Sequence, residues 1–284
     1  MKVLVLGATG YIGGALVERL VAQGHEVAAY VRPAAEGERR VPGVADVRYG
    51  DLADAAALEK AITADLDAIV HAGQLTGDQE TDLATIGVLA GASQKVVYVS
   101  GVWVLGETDG ADEDSPADPI PLVAYRDQVE RLVIDGGGSV VRPGVVHGRG
   151  TGIAALLKAQ AARRGTGVYV TAGGTAPTWT FVHVDDVAEL IVAAVEKGEA
   201  AVYHAISEEA VPVTAVAEAA ARSAGVKETA EPWPFEEAAR ELGEGFAQAL
   251  AISQRVSATR TRETLGWQPS RPGIVADLVE GSYA

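Results

Sequence analysis

The sequence contains no cysteine and no asparagine. Without cysteine, the protein can form neither a disulfide nor a thiolate nucleophile, and a cysteine-ligated metal site is excluded as well. Basic residues are scarce, because 23 lysines and arginines stand against 39 aspartates and glutamates, which gives a net charge of −16. Since such a chain repels phosphate backbones, we predict that it does not bind nucleic acid.

Long hydrophobic runs are also missing. No segment approaches the roughly 20 apolar residues of a membrane span. The apolar run after Lys2 extends only from Val3 to Leu6 before a glycine, which is too short for the core of a secretory signal. We therefore predict a cytoplasmic protein without a membrane partner, as a monomer or homodimer that binds a small-molecule substrate.

Short β-branched runs alternate with Ala- and Leu-rich stretches in the first half of the 284 residues. Strands are predicted at residues 2–6, 26–31, 47–49, 68–71, 95–100 and 139–142. Helices are predicted between them, at residues 11–23, 53–64, 80–92 and 122–134. This alternation, with nearly continuous apolar strands, predicts an α/β fold with a doubly wound parallel (Rossmann) sheet and ligands at the carboxyl ends of its strands.

The pattern changes after about residue 150. We expect the sheet to be revisited at residues 180–184 and 201–205, and the remainder to form a smaller, mostly helical substrate lobe. The predicted dinucleotide-binding core comprises residues 1–149 and 180–205, and the predicted lobe comprises residues 150–179 and 206–284. The acidic stretch 107–119 predicts a solvated surface loop.

A glycine pattern, GxxGxxG, follows the first predicted strand at Gly7, Gly10 and Gly13. At a strand–turn–helix junction, one such glycine makes the tight turn, one lets backbone approach a pyrophosphate, and one permits close helix–sheet packing. The N-terminus of the following helix would point at the phosphates. The pattern predicts a dinucleotide site that also includes Thr9, Tyr11 and Ile12.

The end of the second predicted strand bears on the choice of cofactor. NAD-preferring sites usually carry an acidic residue there, which binds the ribose 2′-hydroxyl. This strand is instead followed by Arg32, which could bind a 2′-phosphate with help from Arg39 or Arg40. We therefore predict NADP(H), with NAD(H) less favoured. Further cofactor contacts are predicted after the third, fourth and sixth strands, at Asp51, Leu52, Ala72, Gly73, Pro143, Gly144 and Val145.

Together these motifs resemble the extended short-chain dehydrogenases/reductases of the NAD(P)-dependent epimerase/dehydratase kind. The resemblance covers essentially the whole chain and rests on residues 7–13, 51–52, 97–106, 142–148, 180–186 (TFVHVDD) and 265–269 (LGWQP). It implies an NAD(P)-binding sheet and a C-terminal substrate lobe. It also implies a catalytic set of Ser or Thr, Tyr and Lys, often with an Asn.

The catalytic set is where this chain departs from the family. Residues 121–133 resemble the catalytic helix, and in this register the family tyrosine falls on Leu122 and the lysine on Arg126. The position of the catalytic hydroxyl falls on Gly101. No tyrosine in the chain is followed four residues later by lysine. The chain thus resembles atypical members that keep the cofactor site without the usual proton relay.

Three candidate catalytic residues remain. Tyr125 would lie on the same helix face as Leu122 and could reach substrate, or it could pack with its hydroxyl in water. Ser100 could bind a carbonyl oxygen or only cap the end of its strand. Arg126 could hold the ribose, but a permanently charged guanidinium is a poor proton donor.

Hydride transfer needs orientation from the protein, while the cofactor supplies the chemistry. We therefore predict an NADPH-dependent ketoreductase for a bulky apolar substrate, with the proton coming from water or from the substrate. The resemblance implies reductases that tailor aromatic polyketides in antibiotic biosynthesis. Two alternatives stay open: a non-catalytic NADP(H)-binding redox sensor, and an epimerase or dehydratase with rearranged catalytic residues.

Overall fold

The computed structural model describes residues 1–33 and 41–284. Arg39 and Arg40, which we named as possible helpers of Arg32, lie outside the described residues. The first half of the chain contains β1 (Lys2–Leu6), α1 (Tyr11–Ala22), β2 (Glu26–Val31), β3 (Asp46–Tyr49), α2 (Ala55–Ala61), β4 (Ala68–His71), α3 (Gln79–Ala90), β5 (Lys95–Val99), β6 (Thr108–Ala111), α4 (Arg126–Asp135), β7 (Ser139–Pro143) and β8 (Val145–His147).

The second half continues with helices and strands in similar alternation. Its elements are α5 (Gly152–Arg164), β9 (Thr166–Thr171), β10 (Thr178–His183), α6 (Val184–Lys197), β11 (Val202–Ala205), β12 (Glu208–Pro212), α7 (Val213–Ser223), β13 (Lys227–Pro234), α8 (Phe235–Leu242), α9 (Glu244–Ala251), β14 (Gln254–Val256), α10 (Thr259–Leu265) and α11 (Ile274–Glu280). Among the residues described, no helix combines the length and the apolar character that crossing a membrane requires.

A seven-stranded parallel sheet forms the centre of the fold, in the order β11-β7-β5-β4-β1-β2-β3. Successive residues of β1 point to opposite faces, so Val3 and Val5 pack in one core cluster and Leu4 and Leu6 in another. The first cluster includes α1 and α6, and the second includes α2, α3 and α4. The strand order reverses between β1 and β4, where doubly wound sheets bind their ligands. The predicted fold class is confirmed.

One predicted return to this sheet was right and one was wrong. β11 joins the sheet beside β7, as predicted for residues 201–205. The segment predicted at 180–184 instead lies in β10, which pairs with β8 and β12 in a separate three-stranded sheet. Gly144 packs directly against the backbone of β10 at this separate sheet, since a Cβ on Gly144 would lie 2.8 Å from the Thr180 oxygen. An apolar strand sequence does not specify which sheet it joins.

The region of the predicted lobe has its own apolar cluster, which includes Tyr169, Trp179 and Trp233. Helices α5, α7, α8 and α9 contribute to it, together with strands β9 and β13, which pair in parallel. The sequence did not predict β9, β12, β13 or β14. The lobe boundaries stay a prediction.

The acidic stretch 107–119 is only partly a surface loop. It contains β6, which pairs with β14. Glu113 is buried, and its carboxylate accepts hydrogen bonds from the Thr261 amide (2.8 Å) and hydroxyl (2.6 Å). The surface-loop prediction was wrong here, because a partner 148 residues away satisfies the carboxylate.

Candidate cofactor and active site

The turn between β1 and α1 has the geometry that the glycine pattern predicted. Gly7 has a φ of +82°, and a Cβ on it would lie 2.5 Å from the Gly73 nitrogen. A Cβ on Gly13 would lie 2.0 Å from the Gly7 oxygen. At Gly10, a Cβ would contact only that same oxygen, at 3.1 Å, among the described residues. Gly7 and Gly13 thus serve backbone packing, while Gly10 leaves one side of the turn open.

Helix α1 begins at Tyr11, and its first turn contains no acidic residue. The unpaired amides and the positive end of the helix dipole suit an anionic pyrophosphate. Thr9 is exposed beside this end, and Ile12 is partly buried against the core. The Tyr11 hydroxyl donates a hydrogen bond to the Gly148 oxygen, 2.7 Å away, and burial raises its pKa. The Tyr11 hydroxyl is therefore engaged away from the glycine turn.

Two predicted adenosine contacts follow the ends of neighbouring strands. Arg32 follows β2, is exposed, and forms no ion pair within the described ranges. Asp51 follows β3 and is also exposed, and its carboxylate accepts a hydrogen bond from the Ala53 amide at 3.0 Å. Both side chains are therefore accessible from solvent at the carboxyl edge of the sheet.

The segment after β4 packs on the glycine turn. The Ala72 amide donates to the Leu6 oxygen at 2.9 Å, which extends the ladder to the end of β1. Leu52 covers Gly73, since a Cβ on Gly73 would lie 2.9 Å from its Cδ1. The structure therefore brings Leu52, Ala72 and Gly73 together at the turn.

Pro143, Gly144 and Val145 link β7 to β8 and are buried. The Pro143 oxygen lies 3.9 Å from the place that a Cβ on Gly101 would occupy. This segment therefore borders the position where the family carries its catalytic hydroxyl. Its role at the nicotinamide stays a prediction.

The helix predicted at residues 122–134 begins later than expected. Leu122 lies in a short 3₁₀ turn, Pro121–Val123, and α4 begins only at Arg126. Tyr125 precedes the helix with φ −102° and ψ 8°. The prediction that Tyr125 shares a helix face with Leu122 was wrong, because no continuous α-helix joins them.

The Tyr125 hydroxyl donates a hydrogen bond to Asp82 Oδ2 at 2.5 Å. Asp82 is 3% exposed and also accepts from the Thr76 amide and hydroxyl, both at 2.9 Å, and from the Gly77 amide at 3.2 Å. Although burial opposes ionisation, these hydrogen bonds lower the pKa of Asp82. Burial and the bond to Asp82 raise the pKa of Tyr125 to about 12. A relay tyrosine needs a lowered pKa, so this geometry weighs against Tyr125 as proton donor.

We expect Tyr125→Phe to lower kcat less than about tenfold, because the hydroxyl acts in structure rather than in proton transfer. The free energy of unfolding should fall by about 1.5–3 kcal/mol, the range for a hydrogen bond to a charged group. Steady-state kinetics and urea unfolding measure the two effects. Tyr49→Phe is the matched control, since Tyr49 is 43% exposed. A thousandfold fall in kcat with unchanged folding would contradict the prediction.

Ser100 and Arg126 both lie next to Gly101. Ser100 directly follows β5, is 8% exposed, and has no hydrogen-bond partner for its Oγ among the described residues. Arg126 Nη1 lies 3.7 Å from the Cβ position of Gly101, and its buried Nε likewise has no partner in the described part of the chain. A permanent cation and an unpaired hydroxyl therefore occupy the place of the family relay.

His71 and the Glu130–Arg142 pair are buried groups near Arg126. His71 packs edge-on against Tyr98 with ring centroids 5.5 Å apart, and burial lowers its pKa to about 4. Glu130 accepts from Arg142 in a buried ion pair, with Arg142 Nε 3.1 Å from both carboxylate oxygens. Since Glu130 lies one helical turn beyond Arg126, this pair anchors α4 to β7.

Asp82 and the Glu130–Arg142 pair were missed from the sequence. The bonded partners are 43 and 12 residues apart, so no local spacing connects them. A carboxylate in the first turn of a helix, such as that of Asp82, is ordinarily interpreted only as a favourable interaction with the helix dipole.

The sheet, the glycine turn and the segments at its edge define an NAD(P)-dependent oxidoreductase. Comparison with known proteins agrees. The sequence model of the NAD dependent epimerase/dehydratase family matches residues 3–207, and the chain belongs to this family.

Similar proteins include named reductases. A 3-diazoavenalumate denitrifying reductase of Streptomyces sp is 33% identical, covering 96% of this chain and 97% of the relative. A 4-hydroxy-2-methyl-3-oxo-4-farnesyl-3,4-dihydroquinoline-1-oxide ketoreductase of Stigmatella aurantiaca is 31% identical, covering 92% and 85%. The crystal structure of human epimerase family protein SDR39U1 (isoform 2) with NADPH has a TM-score of 0.77 at 26% identity and covers 99% of both chains. The predicted family and the oxidoreductase class are confirmed.

Proposed function

We propose that the protein is an NADPH-dependent reductase of a carbonyl group on a bulky, apolar substrate. The observation that carries this proposal is the placement of Arg126 and Ser100 next to Gly101, where two donors without a partner among the described residues can bind a carbonyl oxygen. Two relatives named as reductases support it. The name of one describes a farnesylated ring ketone with a neighbouring hydroxyl. An aromatic polyketide substrate, which the sequence resemblance implied, stays a prediction.

Each part of the site has a task in this reaction. The open side of the turn at Gly10 and the N-terminus of α1 would bind the pyrophosphate. Gly73 and the segment after β7 would border the nicotinamide half. When bound, the reduced cofactor supplies the hydride. Arg126 and Ser100 would orient the carbonyl and stabilise negative charge on its oxygen, while the proton comes from water or from the substrate.

The preference for NADPH is assigned to Arg32. Its exposed side chain follows β2, where an acidic residue would bind the 2′-hydroxyl of NAD. We expect Arg32→Ala to raise the Kd for NADPH about 10- to 100-fold, because 1.5–3 kcal/mol of charged hydrogen bonding is lost. The Kd for NADH should change less than about twofold, since NADH has no 2′-phosphate.

Fluorescence titration of both cofactors measures this difference. Arg19→Ala is the matched control, because Arg19 lies at the far end of α1 and pairs with Glu189. Equal weakening of NADPH and NADH binding in Arg32→Ala would overturn the 2′-phosphate assignment.

The test of the proposed function is deuterium transfer. NADPH deuterated at C4, in both stereochemical forms, is incubated with the protein and a panel of aromatic ketones, and the products are analysed by mass spectrometry. We expect deuterium on the carbinol carbon of at least one product, from one of the two cofactor forms. Tight NADPH binding with no label in any product would contradict the reductase and favour the redox sensor.

A further inference from the structure

The Gly148 loop, residues 148–151, links β8 to α5 and is held from two sides by tyrosine hydroxyls. Tyr11, the first residue of α1, donates a hydrogen bond to the Gly148 oxygen at 2.7 Å. The Tyr283 hydroxyl accepts a hydrogen bond from the Gly148 amide at 2.7 Å and donates one to the Thr151 oxygen at 2.6 Å. Both backbone polar groups of this buried glycine are therefore bonded to tyrosines that lie far apart in the sequence.

Tyr283 connects this loop to α11. It lies shortly beyond the end of α11, is 3% exposed and belongs to the apolar cluster of the predicted lobe. Its main-chain oxygen accepts a hydrogen bond from Ser223 Oγ at the end of α7, at 2.7 Å. Asp277 of α11 accepts a hydrogen bond from the Ser282 amide at 2.8 Å and lies 3.0 Å from Nδ1 of the buried His147, directly before the loop. The position of Tyr283 is therefore set by α7 and α11, and its hydroxyl bonds the loop to them.

The backbone of the Gly148 loop is strained at Arg149. Arg149 has a φ of +56°, and no other non-glycine residue in the described part of the chain has a positive φ. Such a conformation is costly and persists only where the surroundings fix it, which is why it indicates a functional constraint. Here the guanidinium pairs with Glu18 of α1 at 2.9 Å and with Asp185 of α6 at 2.7 Å. The loop is thus held in one arrangement against α1, at whose start the pyrophosphate is proposed to bind.

The first turn of α1 in turn depends on this loop. The ring of Tyr11 lies against the start of α5, since a Cβ on Gly152 would lie 3.4 Å from Tyr11 Cε1. Burial raises the pKa of both Tyr11 and Tyr283, so both hydroxyls keep their protons at neutral pH and remain donors. The ring and the hydroxyl of Tyr11 are therefore both fixed by segments outside α1, while its backbone directly follows Gly10 at the open side of the turn.

We propose that Tyr283 is a positioning residue for the cofactor, which acts through Gly148 and Tyr11 to hold the first turn of α1 in the arrangement that binds the pyrophosphate of NADPH. Since coupling between two sites is reciprocal, NADPH should stabilise the docking of α11 by the same factor by which that docking tightens NADPH binding. This inference rests on the proposed function, because that function places the pyrophosphate at the start of α1.

Removal of single hydroxyl groups tests the positioning role. Tyr283→Phe should raise the Kd for NADPH about tenfold, because the net strength of one hydrogen bond corresponds to about that factor. Tyr203→Phe is the matched control, since Tyr203 is 1% exposed and its hydroxyl accepts from the Glu199 amide at 3.0 Å, just before the amino end of β11. We expect this control to lose similar stability in urea unfolding but to keep the wild-type Kd, because the cofactor is proposed at the carboxyl edge of the sheet. Isothermal titration calorimetry measures the Kd of each variant.

A double-mutant cycle tests the route of the coupling. Tyr11→Phe alone should also raise the Kd for NADPH about tenfold, since it removes the other tyrosine bond to Gly148. If both tyrosines act through Gly148, the double variant Tyr11→Phe with Tyr283→Phe should again lose only about tenfold. Independent effects would multiply, so a loss of about 100-fold in the double variant would overturn the route through Gly148.

Fragments of the cofactor locate the effect. 2′-Phospho-ADP-ribose contains the pyrophosphate but no nicotinamide, whereas adenosine 2′-monophosphate contains neither. In Tyr283→Phe the first fragment should lose the same factor in affinity as NADPH, and the second should bind as it does to the wild type. Equal weakening of both fragments would contradict an effect on the pyrophosphate and overturn the proposal.

Hydrogen exchange measures the reverse direction of the coupling. Saturating NADPH should slow amide exchange in α11 about tenfold in the wild type, because the cofactor stabilises the docked arrangement by the coupling factor. In Tyr11→Phe the same addition should leave exchange in α11 unchanged, since one bond to the Gly148 loop is missing. Mass spectrometry of peptic fragments reports this helix separately from the rest of the chain.

The outcomes separate this inference from the proposed function. If the wild type does not bind NADPH, both are overturned. If the wild type binds NADPH but Tyr283→Phe binds it equally well, or Tyr203→Phe weakens binding as much, the positioning role is overturned and the reductase stands. Should Tyr283→Phe not fold, exchange in α11 of the wild type decides, and an exchange rate that NADPH leaves unchanged overturns the coupling.

Discussion

Gly13→Ala should lose about 3 kcal/mol of the free energy of unfolding and bind NADPH at least about 100-fold more weakly. The added Cβ would lie 2.0 Å from the Gly7 oxygen and 2.7 Å from the Gly7 carbonyl carbon. Both are backbone atoms that cannot rotate away, so α1 must move off the turn that follows β1. Because the turn and the start of α1 together form the proposed pyrophosphate site, stability and cofactor affinity should fall together. Urea unfolding and fluorescence titration measure the two losses.

The neighbouring glycine provides the control for this variant. A Cβ on Gly14 would meet only the Ala8 oxygen, at 3.9 Å, among the residues that the structure describes. Gly14→Ala should therefore keep the wild-type NADPH affinity and gain up to about 1 kcal/mol of stability, because alanine favours a helix over glycine. If Gly13→Ala behaved like Gly14→Ala, the close packing of α1 on the turn would be contradicted.

Arg142→Met should lower the free energy of unfolding by about 3–5 kcal/mol, the range for breaking a buried ion pair. Arg142 is 5% exposed and Glu130 is 3% exposed, so the substitution leaves a buried carboxylate without its cation. Since Glu130 joins α4 to β7, the start of α4 and Arg126 should shift as well. We expect kcat to fall in parallel in the fraction that stays folded.

Two comparisons make this second prediction specific. Arg131→Met removes the exposed cation of the Asp127–Arg131 pair on the same helix and should cost no more than about 0.5 kcal/mol. The double variant Arg142→Met with Glu130→Leu should recover most of the lost stability, because no unpaired charge remains. An Arg142→Met variant as stable as Arg131→Met would show that the pair does not hold α4.

Much of the fold could be predicted because its signals are local. The alternating faces of β1, the apolar runs of β2 and β4, and the glycines at 7, 10 and 13 each predict a strand, a turn or a helix from neighbouring residues. β11 was likewise predicted at the edge of the sheet. The missing Tyr–Lys pair was also evident, since it is a spacing of four residues within one segment.

The features of the fold and site that the sequence did not predict depend on contacts between distant segments. Local sequence could not show that β10 pairs with β8, because an apolar strand fits more than one sheet. Nor could it show that Tyr125 bonds to Asp82 and lies outside α4, since the two residues are 43 positions apart.

The sequence by itself therefore determined a Rossmann sheet, a dinucleotide turn and the absence of the usual relay. Only the tertiary structure decided what lies at the place of that relay: Arg126 and Ser100 next to Gly101, with His71 buried and Glu130 paired nearby. The physical reason is that strand and turn propensities act between adjacent residues. The burial and charge environment of a side chain, by contrast, is set by whichever elements the folded chain packs around it.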